Sequence, residues 1–249
     1  MFILKKIKSS IYNILISIPR FFQFTKDYYL FKKLNKKDNR FILKWKEKMP
    51  ILTDKVKNTP YSRDYVYHTA WAARILAQEK PKKHIDISSM VYFNTIISAF
   101  IPIENYDFRP LIINIDNLQT KSGNLLSLPF NDSSVESLSC MHTVEHIGLG
   151  RYGDNIDPQG DLKSINELKR VLARNGNLLF VVPIGKSKIV FNAHRIYSYQ
   201  QIIDYFRELK LIEFSMIAKA EIFEGIIKNP DISLIDKQKY ACGCFWFKK

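Results

Sequence analysis

Cysteine is scarce in this chain: its 249 residues include three, Cys140, Cys242 and Cys244. So few cysteines exclude a disulfide framework, and no C-x-x-C pair exists for a cysteine-type zinc site. Cys242 and Cys244 stand two apart, so on one strand they point the same way, a poor geometry for bridging each other. A reducing cytosol is the expected setting. Long apolar runs are missing as well. The uncharged run from Ser9 to Pro19 is too short to span a bilayer. No small-x-small cleavage site follows the basic start at Lys5, Lys6 and Lys8, so a secretory signal is not expected. Acidic residues are nearly absent from the first sixty positions, which hold 15 Lys/Arg against 4 Asp/Glu. That segment therefore supplies +11 of the net +14, and the other 189 residues only +3. Nine glycines and ten prolines are too few for low complexity or extended disorder.

What is present divides at about residue 60. Residues 1–60 read as helical pieces broken at Pro19, Pro50 and Pro60, with Phe21, Phe22, Phe24, Tyr28, Tyr29, Phe31, Phe41 and Trp45 interleaved among lysines. Such a segment suits an anionic membrane surface through residues 1–24, or a helix whose aromatics pack inward while its lysines stay wet. Nucleic acid ranks behind both.

Residues 61–249 alternate helix and strand. Tyr61–Glu79 has helical spacing and stops before Pro81. His84–Ser89 reads as a short strand leaving into a turn, Met90–Phe100 as a helix, and Ile101–Phe108 as a second strand. Asn124–Leu128 is the third predicted strand and Val135–Met141 the fourth. Asp161–Leu172 is a helix capped by Asp161. Asn177–Pro183 is apolar throughout, the mark of a strand buried on both faces. Ser198–Leu209 is a helix capped by Ser198, and Leu211–Ile217 and Tyr240–Phe247 are closing strands. The order predicts a mostly parallel α/β sheet covered by helices.

The densest cluster of reactive side chains lies between Leu128 and Gly160. The apolar run Val135–Met141 opens into His142, Glu145 and His146. A loop punctuated by Gly148, Gly150, Gly153, Pro158 and Gly160 follows, carrying Arg151, Tyr152, Asp154 and Asp157. A buried strand that ends in ionisable residues and a Gly-rich loop is how open α/β sheets present a site.

Several motifs carry a family resemblance. D-I-x-S follows the first strand, with an acid about twenty residues on. L-P-F-x-D-x-S, E-H, E-L-x-R-V-L-x-x-x-G and L-L-F-V-V-P come later. Together they resemble the class I S-adenosylmethionine-dependent methyltransferases. HTVEHIGLGRYGDNIDPQGD with FNAHRIYS is similar, more closely, to the domain family of unknown function numbered 268 (DUF268), a group within that superfamily often met with polysaccharide biosynthesis proteins. The resemblance spans roughly Tyr61 to Lys249. It implies a Rossmann-like three-layer sandwich: a mostly parallel seven-stranded sheet with an antiparallel C-terminal hairpin. It also implies S-adenosylmethionine as cofactor, held by Asp86, Ser88, Ser89, Asp107, Asn124 and Leu125. Asp107 matches the acid that accepts both ribose hydroxyls, and Asn124 stands where many relatives contact the adenine amine. The turn after the first strand, Ser88-Ser89-Met90, lacks the glycine usual there.

The implied reaction is O-methylation of a sugar or glycan precursor, by a cytoplasmic protein that touches the inner membrane face. His142 is the expected general base, with Glu145, His146 and His194 beside it. The same four residues resemble the divalent-metal cluster of small-RNA 2′-O-methyltransferases. Arg151, Tyr152, Asp154 and Asp157, joined by Arg195 and Tyr197, suit a glycan or sugar-nucleotide acceptor. Two other readings stand beside this one: a cofactor-less binding or scaffold protein in glycan assembly, and an RNA methyltransferase.

Overall fold

The computed structural model describes residues 2–37, 40–219 and 221–249. Two compact units divide the chain, 1–61 and 62–249. The first unit is built on helix α1, Phe2–Leu34, which runs unbroken through Pro19. The expected break at Pro19 does not occur. Proline removes one backbone donor, and a helix of 33 residues keeps enough of the others on either side to continue. Within this unit Tyr28 meets Trp45 edge-on at 4.7 Å, Tyr29 stacks on it at 6.0 Å, and the Lys48 ammonium lies 4.5 Å from its ring centre. Among the described residues no helix is long and apolar enough to cross a membrane.

The second unit is a three-layer α/β domain. Helix α2, Arg63–Glu79, buries His68, Trp71, Ala72, Ile75 and Leu76, a stripe at helical spacing, and ends where Lys80 turns left-handed. Strand β1 is His84–Asp86, α3 is Val91–Ile97, β2 is Ile103–Asp107, β3 is Leu118–Ser122 and β4 is Val135–Met141. Then come α4 (Gly160–Val171), β5 (Leu172–Ile184), the hairpin β6 (Lys188–Val190) and β7 (His194–Ile196), and α5 (Tyr199–Tyr205). Strand β8 (Lys210–Ile217), β9 (Ile227–Lys228), α6 (Ile232–Asp236) and β10 (Ala241–Lys248) close the chain. The main sheet has the order β3-β2-β1-β4-β5-β10-β8-β9. Strands β3 to β5 are mutually parallel, and β10 pairs antiparallel with both β5 and β8.

Eight strands replace the seven expected, because the two-residue β9 adds to the edge of β8. The third strand lies at Leu118–Ser122, not at Asn124–Leu128. As an edge strand it buries only Leu118, so its sequence carries no apolar run to announce it. Asn124 instead forms a turn in which its Oδ1 accepts the Leu126 amide at 3.0 Å. Helix α4 starts at Gly160 with Gln159 at the cap position; Asp161 is turned inward to other partners and does not cap. Ser198 does cap α5, in a reciprocal box with Gln201.

Polar groups hold the sheet's centre in register. His84, fully buried, contacts Ser137 Oγ (2.8 Å) through Nδ1 and Ser139 Oγ (2.9 Å) through Nε2. Ser139 donates onward to Asp86. Burial holds the His84 pKa at about 3, so the folded chain keeps this ring neutral. An unfolded histidine binds its proton near pH 6.5, so between there and pH 3 the unfolded chain takes up a proton that the folded chain refuses. Stability from this group therefore falls as pH drops from 6.5, by up to about 1.4 kcal/mol per pH unit. Urea titrations at stepwise pH should show that slope reduced in His84→Asn; an unchanged slope refutes the assignment.

Candidate active site

A cavity opens at the carboxyl ends of β1, β2 and β4, where the strand order reverses about β1. Ser88, Ser89, Asp107, Phe108, Asn124, Leu125 and Leu126 line one part of it. His142, His146, Tyr152 and Asp154 line another, together with Arg109. Residues from five separate stretches, 87–89, 106–109, 123–126, 142–148 and 152–155, thus meet in one place.

Asp86 is not among the lining residues. It is fully buried, and its Oδ2 accepts Ser88 Oγ (2.6 Å), Asn94 Nδ2 (2.9 Å) and Asn105 Nδ2 (3.2 Å), while Oδ1 accepts Ser139. Burial pushes its pKa up, and these four donors pull against that push. Asp86 therefore shapes the turn from behind: Ser88 Oγ, bound to it, also accepts the Met90 amide at 3.2 Å. Neither Ser88 nor Ser89 has a left-handed backbone, so the turn needs no glycine for its own conformation.

Asp107 ends β2 at the cavity. Its Oδ1 accepts the Arg109 amide at 2.8 Å, and among the described residues none bonds its Oδ2. Leu125 is buried in the core beneath the cavity.

His142 follows β4 directly and has a left-handed backbone, φ +51°. Outside glycine that conformation is uncommon and collects at functional sites. Both ring nitrogens are engaged. Nδ1 lies 3.0 Å from Glu145 Oε1, and Nε2 lies 3.4 Å from Cys242 Sγ. Burial opposes charge on this ring, but the Cys242 sulfur and the Glu145 carboxylate together raise its pKa well above the ordinary histidine value. His68, on α2, meets the His142 ring edge-on at 4.9 Å. Burial and the neighbouring His142 hold the pKa of His68 at about 3.

Of the four residues expected to share a metal, His142 and Glu145 are bonded to each other, and His146 Nε2 lies 3.8 Å from Glu145 Oε1. His146 Nδ1 is directed instead to the Ala193 carbonyl at 2.6 Å. His194 brings no ring nitrogen into a common centre with them; its ring lies 6.1 Å from that of Tyr240. The expected quartet does not converge because His142 turns its Nε2 to Cys242, His146 its Nδ1 to the Ala193 carbonyl, and the His194 ring lies beside Tyr240. Among the described residues, the group of three whose ligand atoms lie within 4.8 Å of one another is His68, His142 and Cys242. Neither His68 nor Cys242 carries a local sequence signal for this, since they stand 174 positions apart on a helix and a strand.

The loop after His146 folds on itself. Asp154 accepts the amides of Gly148 (2.7 Å), Tyr152 (3.2 Å) and Gly150 (3.4 Å). These amides outweigh the upward push of burial and hold its pKa below the usual carboxylate value. A Cβ on Gly148, where φ is +80°, would lie 2.0 Å from the Asp157 carbonyl oxygen, so only glycine fits that crossing. Two guanidinium groups lie near the Tyr152 ring, Arg109 at 4.5 Å and Arg151 at 5.0 Å from its centre. Arg109 is a cavity residue that sequence reasoning missed; it belongs to an irregular loop with no motif.

Four residues expected to meet an acceptor, Arg151, Asp157, Arg195 and Tyr197, do not line the cavity. Asp157 binds Lys163 Nζ (2.6 Å) and the Gln159 amide (2.9 Å). Arg195 is buried and donates to the carbonyls of Ile147 (2.6 Å), Asp157 and Pro158 (both 3.4 Å), with its Nε 3.5 Å from Asp161 Oδ2. The Tyr197 hydroxyl donates to the same Asp161 oxygen at 3.0 Å. Arg151 likewise binds the Ala193 carbonyl at 3.0 Å. Arg195, Tyr197 and Asp157 thus fasten the base of the loop.

Residues 129–218 match the model of the family described as "Caenorhabditis protein of unknown function, DUF268". That is the segment holding the Gly-rich loop, and it is narrower than the span of the motif resemblance. An uncharacterized protein of Methanocaldococcus jannaschii is 31% identical over 77 residues, which cover 30% of this chain and 29% of that protein. The matched stretch thus spans under a third of that curated relative. Among solved structures, the YcgJ protein from Bacillus subtilis is 12% identical with a TM-score of 0.51, over 73% of this chain and 97% of that one. The [4+2]-cyclase SpnF is 11% identical with a TM-score of 0.53, over 78% of this chain and 84% of that one. A candidate sarcosine dimethylglycine methyltransferase from Galdieria sulphuraria is 15% identical with a TM-score of 0.50, over 73% and 84%. The likeness to these structures is one of fold: an α/β Rossmann-like methyltransferase fold, mostly parallel, with antiparallel strands at its C-terminal edge.

Proposed function

We propose that this chain, a methyltransferase-fold protein whose residues 129–218 match DUF268, transfers a methyl group from S-adenosylmethionine to a sugar or glycan-precursor hydroxyl. The observation that carries the reading is Asp107: a carboxylate at the end of β2, lining the cavity, with one oxygen unclaimed among the described residues. A ribose diol offers two donors to such a group. Leu125, Leu126 and Phe108 supply apolar walls suited to a purine, and Ser88 and Ser89 offer a small-residue turn for the amino-acid end. The residues present therefore fit the cofactor. When bound it supplies a methyl group on a sulfonium, ready for in-line displacement.

This chain's own part is to hold the acceptor in line, exclude water and receive one proton. His142 has both nitrogens engaged, so the proton acceptor best supported is His146. Its Nδ1–H donates to Ala193 O, which fixes the tautomer and leaves the Nε2 lone pair. Tyr152 and the cavity-lining Arg109 beside it offer an aromatic face and a charged donor to a sugar ring and its hydroxyls. The basic start of the chain, residues 1–24, supports placement of this reaction against an anionic membrane, where lipid-linked glycan precursors reside.

Calorimetric titration with S-adenosylhomocysteine tests the reading. Binding is expected in the wild type and about 10–100-fold weaker in Asp107→Ala, the effect of removing a charge-assisted bond pair. No binding by the folded wild type at high micromolar ligand would sink it. The scaffold reading would then stand, favoured by the glycine-free turn, since one fold can serve unrelated chemistries.

A further inference from the structure

Beside the cavity, the ends of β4, β10 and α2 bring together three electron-rich atoms with too few protons among them. His68 is fully buried, and its Nδ1 lies 2.5 Å from the Asp64 carbonyl, which can only accept. The proton is therefore on Nδ1, and Nε2 is a bare lone pair; among the described residues it has no hydrogen-bond partner. His142 Nδ1 faces the Glu145 carboxylate, also an acceptor, so the first proton of this ring is on Nδ1 too. That leaves His142 Nε2 directed at Cys242 Sγ. A second proton on His142, or the thiol proton of Cys242, can settle this contact, but neither reaches His68. A buried polar atom without a partner is costly, and Glu145 Oε2 is a second one in the same cluster.

We propose that His68, His142 and Cys242 bind a zinc ion. Their three donor atoms lie within 4.8 Å of one another. Two imidazole nitrogens and a sulfur form a borderline-soft set that suits zinc and not magnesium or calcium. Binding displaces to solvent the one proton held between Cys242 Sγ and His142 Nε2, forms a zinc–thiolate bond, and takes the Nε2 lone pairs of His142 and His68, each ring keeping its Nδ1 proton. Each histidine is already oriented from behind, His142 by the Glu145 carboxylate and His68 by a backbone carbonyl, the arrangement that fixes metal-ligand tautomers. Three protein ligands leave one position of a tetrahedral ion for water or substrate, and His142 lines the cavity. The site is thus placed to polarise an acceptor hydroxyl, whatever donor the cavity holds.

The full-length protein is dialysed against zinc sulfate, desalted and measured for metal by mass spectrometry. About one zinc per chain is expected, absent in His68→Ala and Cys242→Ser and retained in His194→Ala. Glu145→Gln keeps all three ligands and should weaken zinc about 10–100-fold. Should the ligand variants fail to fold, the wild type alone decides. Its cobalt form should show sulfur-to-metal charge-transfer absorption in the near ultraviolet, abolished by a chelator and restored by cobalt. A folded wild type without stoichiometric zinc, or zinc retained in folded Cys242→Ser, overturns the proposal. None of these readouts uses S-adenosylmethionine, so this proposal and the methyltransferase reading fail separately.

Discussion

Replacing Arg195 by leucine should lower the stability of the domain by about 3–5 kcal/mol, the usual cost of breaking a buried ion pair from one side. Leucine keeps much of the side chain's apolar volume but none of its donors. The Ile147, Asp157 and Pro158 carbonyls would lose their guanidinium, and Asp161 would keep only the Tyr197 hydroxyl. Both charged side chains are nearly inaccessible to water, so solvent does not step in for the lost partner. Lysine should recover only part of the loss, because one ammonium cannot fork to three carbonyls and a carboxylate at once. The loop base should open as well. Asp157 N bonds Gly148 O at 3.0 Å, and Arg195 braces both ends of that crossing. Urea denaturation of the two variants checks the prediction; a loss below about 1 kcal/mol in Arg195→Leu, no more than an exposed ion pair contributes, would refute it.

Asp86→Ala is expected to cost a similar amount, about 3–5 kcal/mol, for a different reason. The substitution removes an acceptor and leaves four donors behind it, two of them hydroxyls that can turn to other acceptors. The amides of Asn94 and Asn105 have less choice. Both are buried, and each also has an Oδ1 without a partner among the described residues, so their geometry is set by Asp86 more than by anything else. Asn105 Nδ2 also reaches Ser88 O at 2.7 Å, so loss of Asp86 loosens strand β2 and the turn together. Although Asp86 does not line the cavity, its removal should weaken S-adenosylhomocysteine by reshaping Ser88-Ser89. Thermal unfolding and calorimetry on the same preparation separate the two effects. A variant with wild-type melting and wild-type affinity would mean the carboxylate organises nothing.

Both residues show how far a motif can be trusted. The acid after the first strand was legible as a landmark, because a short apolar strand followed by D-I-x-S marks the first βα turn. Its role was not legible, since whether a carboxylate faces ligand or core depends on Asn94, Asn105 and Ser139, which arrive from other elements. Arg195 and Tyr197 read as acceptor contacts because polar and aromatic groups near a Gly-rich loop usually are. Burial turned them into the loop's fastenings.

By itself, the sequence determined helices α2 to α5 and strands β1, β2, β4, β5, β8 and β10 well enough to identify the fold; the hairpin β6–β7 and helix α6 were not foreseen. Apolar runs such as Asn177–Pro183 and the helical stripe of α2 are local patterns, and burial on one or two faces writes them directly into the chain. The cavity's position also followed, because the site of an open α/β sheet is fixed by topology. Edge strand β3 and the short β9 were hidden, since a strand that buries one residue or none leaves no periodicity to read. Only the tertiary structure decided which ionisable groups meet. His68, His142 and Cys242 come from α2, the end of β4 and β10, and their proximity exists only because β10 inserts between β5 and β8. Contacts of such sequence separation depend on how elements pack, and no spacing rule along the chain encodes them.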